Sequence, residues 1–212
     1  MIKTIETGIE IDLMPGEIYK KDPTVNGRVA VLDMFRSFTQ KPHAVYVPEV
    51  YEDIIRYIYS GFDDSRTIAS STANLPPDQS TELSSKVFEF AGVARVTVHI
   101  TGSDFEQIFT LNEHSLLNQD IKIIQVWLKS SWPWIGEVVK ILQRKGYFFG
   151  GVFPRWFDVD GLLLQKVSGQ PNWKGIHLYS DRAENIFRSI RDDWDGLQKN
   201  NILRRTEAMR NE

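Results

Sequence analysis

IKIIQVWLKSSWPWIGEVVKILQRKGYFFGGVFPRWFDVDGLLLQKV, residues 121–167, reads as strand, helix, strand, turn, strand. Ile121–Leu128 is an apolar run of the kind a strand shows when both its faces are buried, which implies a central place in a sheet with helices around it. In Pro133–Lys145 the residues Ile135, Val138, Val139 and Leu142 fall at i, i+3, i+4, i+7, one stripe of a helix. Glu137 comes early in that helix and Arg144 and Lys145 late, as the helix dipole favours. Gly146 closes it, and Gly146–Val167 forms a hairpin that ends in Leu162-Leu163-Leu164-Gln165.

Upstream, Val93–Ile100 places Val96, Val98 and Ile100 on one strand face and Arg95, Thr97 and His99 on the other. Lys86–Phe90 precedes it as a second strand, with Gly92 between, in hairpin or bulged geometry. Thr101-Gly102-Ser103-Asp104 is a turn into a helix, with Ser103 or Asp104 able to cap its first amides. His43–Val47 reads as a strand. Pro48 then opens a helix whose stripe is Tyr51, Ile54, Ile55 and Ile58, ended by Gly61. Arg66–Ser70 is a short strand. Ser71–Ser85, with Asn74, Pro76, Pro77 and Asp78, reads as a mobile surface loop, a lid or a linker. A last helix starts near Ser180–Asp181 with the stripe Ala183, Ile186, Phe187, Ile190, Trp194 and Leu197, and the residues after Lys199 are expected to fray.

The chain begins with two strand-like stretches, Ile5–Leu13 and Gly27–Phe38, which read as a hairpin. Their order (glycine, strand, apolar pair, proline, loop, glycine, apolar strand) is repeated in Gly146–Gly161–Leu164. Either the chain opens with the last hairpin of one repeat and continues into a second, or these are two ordinary hairpins. The expected division is residues 1–40 as an N-terminal β-hairpin segment, 41–180 as the main domain, and 181–212 as a C-terminal helix with a polar tail.

The 212 residues are 42% hydrophobic and 25% charged, enough apolar surface for a core. With no cysteine, disulfides, thiolate nucleophiles and Cys-ligated metals are excluded. The net charge is −3 with no basic block, which argues against nucleic acid as a partner. Apolar runs fall short of a membrane span, and the first residues lack a signal-peptide core. A soluble cytoplasmic protein is expected. His43, His99, His114 and His177 have no metal-ligand spacing, so no metal site is expected. No P-loop and no GxSxG appears. Trp132-Pro133-Trp134 either stacks on a planar ligand or anchors the start of its helix, the anchor being preferred.

Residues His43–Val167, and Pro133–Val167 above all, resemble the GNAT (GCN5-related N-acetyltransferase) superfamily. The carriers are the helix ending in Gly146-Tyr147-Phe148 and the strand after Asp160-Gly161. The resemblance implies an α/β fold whose mixed sheet splays open between Val93–Ile100 and Ile121–Leu128. It further implies that acetyl-CoA or another acyl-CoA slots into the opening, its pyrophosphate on helix amides. The cofactor-binding residues would be Ile100, Thr101, Gly102, Ser103, Lys129 and Ser130, and His99 would be the catalytic base for a small amine. Departures are visible. The phosphate turn has one glycine, Asp104 brings a carboxylate to it, and the position of the family's tyrosine acid is Leu142. Three functions remain open: an acyl-CoA-dependent N-acyltransferase, a non-catalytic ligand-binding or regulatory module, and a homodimer joined through the N-terminal hairpin.

Overall fold

The computed structural model describes residues 4–22, 24, 26–38, 41–63 and 66–210, the last ten as backbone only. In chain order the elements are β1 (Thr4–Pro15), α1 (Gly16–Lys20), β2 (Arg28–Arg36), β3 (His43–Val47), α2 (Glu52–Tyr59), β4 (Arg66–Ser70), β5 (Glu82–Phe88), β6 (Val93–Ile100), α3 (Phe105–Leu117), β7 (Ile123–Lys129), α4 (Ile135–Arg144), β8 (Phe148–Phe153), β9 (Gly161–Val167) and α5 (Asp181–Arg210). Seven strands form one sheet in the order β2-β1-β8-β9-β7-β6-β5. Only β6 and β7 run parallel in it; every other neighbouring pair is antiparallel. This is a mixed α/β fold.

The apolar run at the centre of the sequence is the centre of the sheet. Six of the seven β7 residues are buried, because each face has a cover. Ile124, Val126 and Leu128 join Val138, Val139 and Leu142 of α4 and Phe105 and Phe109 of α3 in the main core. Trp127 instead packs with Phe153 and Leu163, against Phe35 and Phe157. At about 25 cal/mol per Å² of apolar surface, side chains of this size each contribute on the order of 2 kcal/mol when buried.

Four expectations need correction. The strand at 121 starts at Ile123 and the helix at 133 starts at Ile135, since Trp132–Trp134 spends its backbone on a turn, with Ile135 N–H donating to Trp132 O. The strand before Gly92 begins at Glu82, not Lys86, and reaches β6 through a 3-10 turn at Glu89–Ala91 with Gly92 at φ +60°. Asp104 makes no side-chain cap to α3. The strands β3 and β4 stand outside the main sheet as a parallel pair. Their junction with the sheet is the buried Asp160, which accepts from Arg66 Nε at 2.6 Å, His43 Nε2 at 3.0 Å and the Arg155 amide at 3.1 Å.

The N-terminal hairpin joins the sheet at its β8 edge through one rung, Gly8↔Gly151. A Cβ at Gly8 would stand 2.7 Å from Gly150 O, and one at Gly151 2.4 Å from Gly8 Cα. Only backbones without side chains can meet there. Past that rung Gln165 takes over the pairing, its Oε1 accepting from Ile11 N at 2.8 Å and its Nε2 donating to Ile9 O at 2.9 Å.

Candidate functional site

β6 and β7 pair from Val93↔Ile123 to Thr97↔Trp127 and then part. Beyond that rung Leu83 and Glu82 of β5 hold Val98 and Ile100, while β9 holds Leu128 and Lys129. The splay implied by the GNAT resemblance is therefore present, at the carboxyl ends of two parallel strands.

Residues 71–81 cross this end of the sheet from the start of α4 to the start of α3. Ser71 starts the crossing at α4: its Oγ accepts from the Gly136 amide at 2.8 Å and donates to Pro133 O at 2.8 Å. The free amide end of α4 is thus capped from another part of the chain. Ala73 N–H donates to Pro133 O, and Leu75 packs on the main core. At α3 the Ser103 amide donates to Pro76 O at 2.9 Å and the Gly102 amide to Thr81 Oγ1 at 3.0 Å. Asp104 Oδ1 accepts from the Thr81 amide at 2.9 Å. A Cβ on Gly102 would lie 1.8 Å from Gln79 O, so glycine at this position admits the chain's own backbone. The segment read as a mobile loop or lid is a strap bound at both ends.

The remaining candidate residues are divided by this arrangement. Thr101 is fully buried and its Oγ1 accepts from Trp134 Nε1 at 2.5 Å. With Trp132 buried and its ring stacked on that of Trp134, this tryptophan pair anchors the start of α4. Ile100, Thr101, Gly102 and Ser103 line one side of the splay. Lys129 reaches across it, its Nζ donating to His99 O at 2.8 Å. Ser130 is drawn away into the β3 junction, accepting from the Tyr46 amide at 2.7 Å and donating its own to Asp160 O at 2.8 Å. His99 is exposed and its Nε2 pairs with Ser84 Oγ at 2.8 Å, over β5. Leu142 is fully buried and has no ionisable proton to donate.

A pyrophosphate does not fit these residues. The two amides that would bind it already have acceptors, the only glycine is packed on Gln79, and the Asp104 carboxylate adds like charge.

The strongly perturbed acids stand elsewhere. Glu10 of β1 and Asp33 of β2 face Arg95 of β6 and Gln125 of β7. Gln125 Nε2 donates to Glu10 Oε2, and Arg95 Nη2 lies 3.5 Å from the same oxygen. Loss of water raises Glu10, against the pull of Gln125 and Arg95. Loss of water, and then the neighbouring Glu10 charge, pushes Asp33 up to about 8. Two carboxylates facing one guanidinium hold a proton between them at neutral pH. Arg95 lies over the rings of Phe88 and Trp127, and Trp127 stacks on Trp156 at 4.2 Å. Sequence reading missed this cluster. The signal was an acid inside each of two apolar strands, Ile9-Glu10-Ile11 and Val31-Leu32-Asp33-Met34.

No protein-family model matches the chain, and no curated protein matches it. The structure is similar to that of a ribosomal-protein-alanine N-acetyltransferase from Brucella melitensis. The match has 12% identity and a TM-score of 0.34, and covers 42% of this chain and 61% of that one. A likeness of that size bears on neither activity nor substrate. Among the described residues no helix is long and apolar enough to cross a membrane, and no three His, Cys, Asp or Glu side chains gather as metal ligands.

Proposed function

We propose that this chain is a non-catalytic GNAT-like module, a ligand-binding or regulatory unit whose acyl-CoA cleft has been taken over by its own residues 71–81. The observation that carries the reading is the pairing of Gly102 and Ser103 amides with Thr81 Oγ1 and Pro76 O. A helix start that has satisfied its amides internally offers no net gain to a phosphate. The buried Leu142 agrees with it.

The second reading, an acyl-CoA-dependent N-acyltransferase acting on a small amine, is favoured by the splay itself. It requires acetyl-CoA to displace the strap, leaving the exposed His99 as the base. Thermal unfolding in the presence of acetyl-CoA and of free CoA separates the two. A ligand at about 100 times its dissociation constant adds roughly 2.7 kcal/mol. The proposal expects no shift for the parent chain at millimolar ligand. A shift of several degrees in the parent would overturn it in favour of the enzyme.

A further inference from the structure

The seven-stranded sheet ends on two edge strands, β5 and β2, and the chain protects only one of them. β5 carries Glu82, Ser84, Ser85 and Lys86, side chains of the kind that keep an edge from pairing. β2 has neither charge nor proline from Val29 to Leu32, and β1 is its one strand partner among the described residues. Large apolar side chains stand open beside it: Met34 is 50% exposed, Tyr19 59% and Tyr179 100%. The two tyrosines line a groove of about 600 Å³ along the strand, with Ala30, Leu32, Ile176 and Leu178. Backbone and apolar surface left uncovered side by side mark an interaction face.

The charges of the groove choose the occupant. It holds one carboxylate, Glu6, and one ammonium, Lys20. Glu6 accepts from Ser180 Oγ at 2.8 Å, and Lys20 Nζ rests over the Tyr19 ring. Neither has an oppositely charged partner among the described residues. They stand at opposite ends of β2. Glu6 pairs with Met34, near the last residue of the strand, whereas Lys20 belongs to α1, which begins where Pro15 pairs with Arg28, the first. A strip with one charge of each sign at its two ends complements itself when turned through half a revolution.

We propose that β2 is the seam of a homodimer: a second copy of this chain lays its own β2 antiparallel to this one, about a twofold axis at Val31, and the two sheets become one. In that register Ala30 lies opposite Leu32 of the second copy. Glu6 of each copy comes to the level of Lys20 of the other. An axis one position further on, at Leu32, would set Arg28 against Arg36, like charges directly opposed. The seam is separate from the strapped cleft, so its failure leaves the reading of that cleft untouched.

Sedimentation equilibrium of the full chain between about 5 and 500 µM tests it. A reversible monomer–dimer equilibrium is expected and nothing larger, because an isologous contact closes at two copies. The β2 amides that β1 does not use should exchange more slowly at the upper end of that range. Lys20→Glu sets like charges against each other twice and should weaken the dimer at least about fivefold. Adding Glu6→Lys restores opposite signs and should bring the affinity back to within about threefold of the parent. Val31→Lys sets two ammonium groups face to face on the axis and should also weaken the dimer at least about fivefold; within one chain its neighbour on β1 is Glu10, which favours folding of the variant. If the double variant does not fold, Val31→Lys and the exchange of β2 amides decide the matter. A chain still monomeric at about 500 µM, near the weak end of specific binding, would overturn the proposal. So would a dimer that Lys20→Glu or Val31→Lys leaves unchanged, or assembly beyond two copies.

Discussion

Replacing Gly102 by alanine puts the strap to the test. The new Cβ would lie 1.8 Å from Gln79 O and 2.7 Å from Gln79 C. Both atoms are backbone, so no side-chain rotation relieves the clash. Restoring an ordinary contact of about 3.5 Å moves the strap back by roughly 1.7 Å. Three hydrogen bonds, at 2.9–3.0 Å, then exceed any useful length: Ser103 N to Pro76 O, Gly102 N to Thr81 Oγ1, and Thr81 N to Asp104 Oδ1. Two neutral bonds at about 1 kcal/mol each and one to a carboxylate at about 1.5–3 give roughly 3–5 kcal/mol. For a chain of this length that lowers the melting temperature by about 6–20 °C. Urea unfolding measures the energy, and amide exchange at Ser103 locates it, since its protection should fall with that of Thr81. Ser103→Ala, which leaves the amide in place, should stay within about 0.5 kcal/mol of the parent. If Gly102→Ala also stays within 0.5 kcal/mol, the strap is not held as described, and the account of the cleft falls with it.

Asp33→Asn should change the pH dependence of stability. The folded chain holds a proton on Asp33 up to about pH 8 that the unfolded chain gives up near its ordinary 3.8, so stability falls as pH rises across that window, by up to about 1.4 kcal/mol per unit. The asparagine variant should lose that slope, and chemical unfolding at pH 5, 6, 7 and 8 would reveal equal slopes in both proteins if Asp33 is not the group. Asp193→Ala strips one acceptor from Tyr51 Oη at 2.7 Å, the Phe149 amide at 2.8 Å and Gln143 Nε2 at 3.2 Å. Gln143 Nε2 keeps Tyr51 Oη as an acceptor, and leaving the other two buried donors unmatched costs about 1–3 kcal/mol each. The variant should unfold at least about 2 kcal/mol more easily, with α5 losing amide protection first; an unchanged midpoint would show that α5 is held by its apolar stripe alone.

What was legible in the sequence was what short-range periodicity records. Ile135, Val138, Val139 and Leu142 announced α4, and the run through Val126 announced a strand buried on both faces, since each pattern is written in neighbours a few positions apart. The strap was not legible. Serine, asparagine and proline in 71–81 mark a chain that is neither helix nor strand, but nothing local records that the acceptors of Gly102 and Ser103 come from Thr81 and Pro76. Gly102 was read as a poor phosphate glycine for the same reason: its lack of a side chain is visible, while the atom that needs the room is not. Glu10 and Asp33 were legible in principle, because an acid in an apolar strand demands a partner; which partner depends on how β1 meets β7, and that is set by the packing of the whole sheet.

The attachment of the first hairpin has a consequence for the order in which the molecule can be built. Gln165 grips Ile9 and Ile11, and the Asn172 amide donates to Asp12, across 154 to 160 positions of chain. At 5–20 residues per second a ribosome takes about 8–30 s to make that much polypeptide. For all that time β1 and β2 have no sheet to join and present an unpaired β edge. A hairpin made long before its partners is among the last elements to find its place, and the cell must keep it from pairing with anything else in the interval.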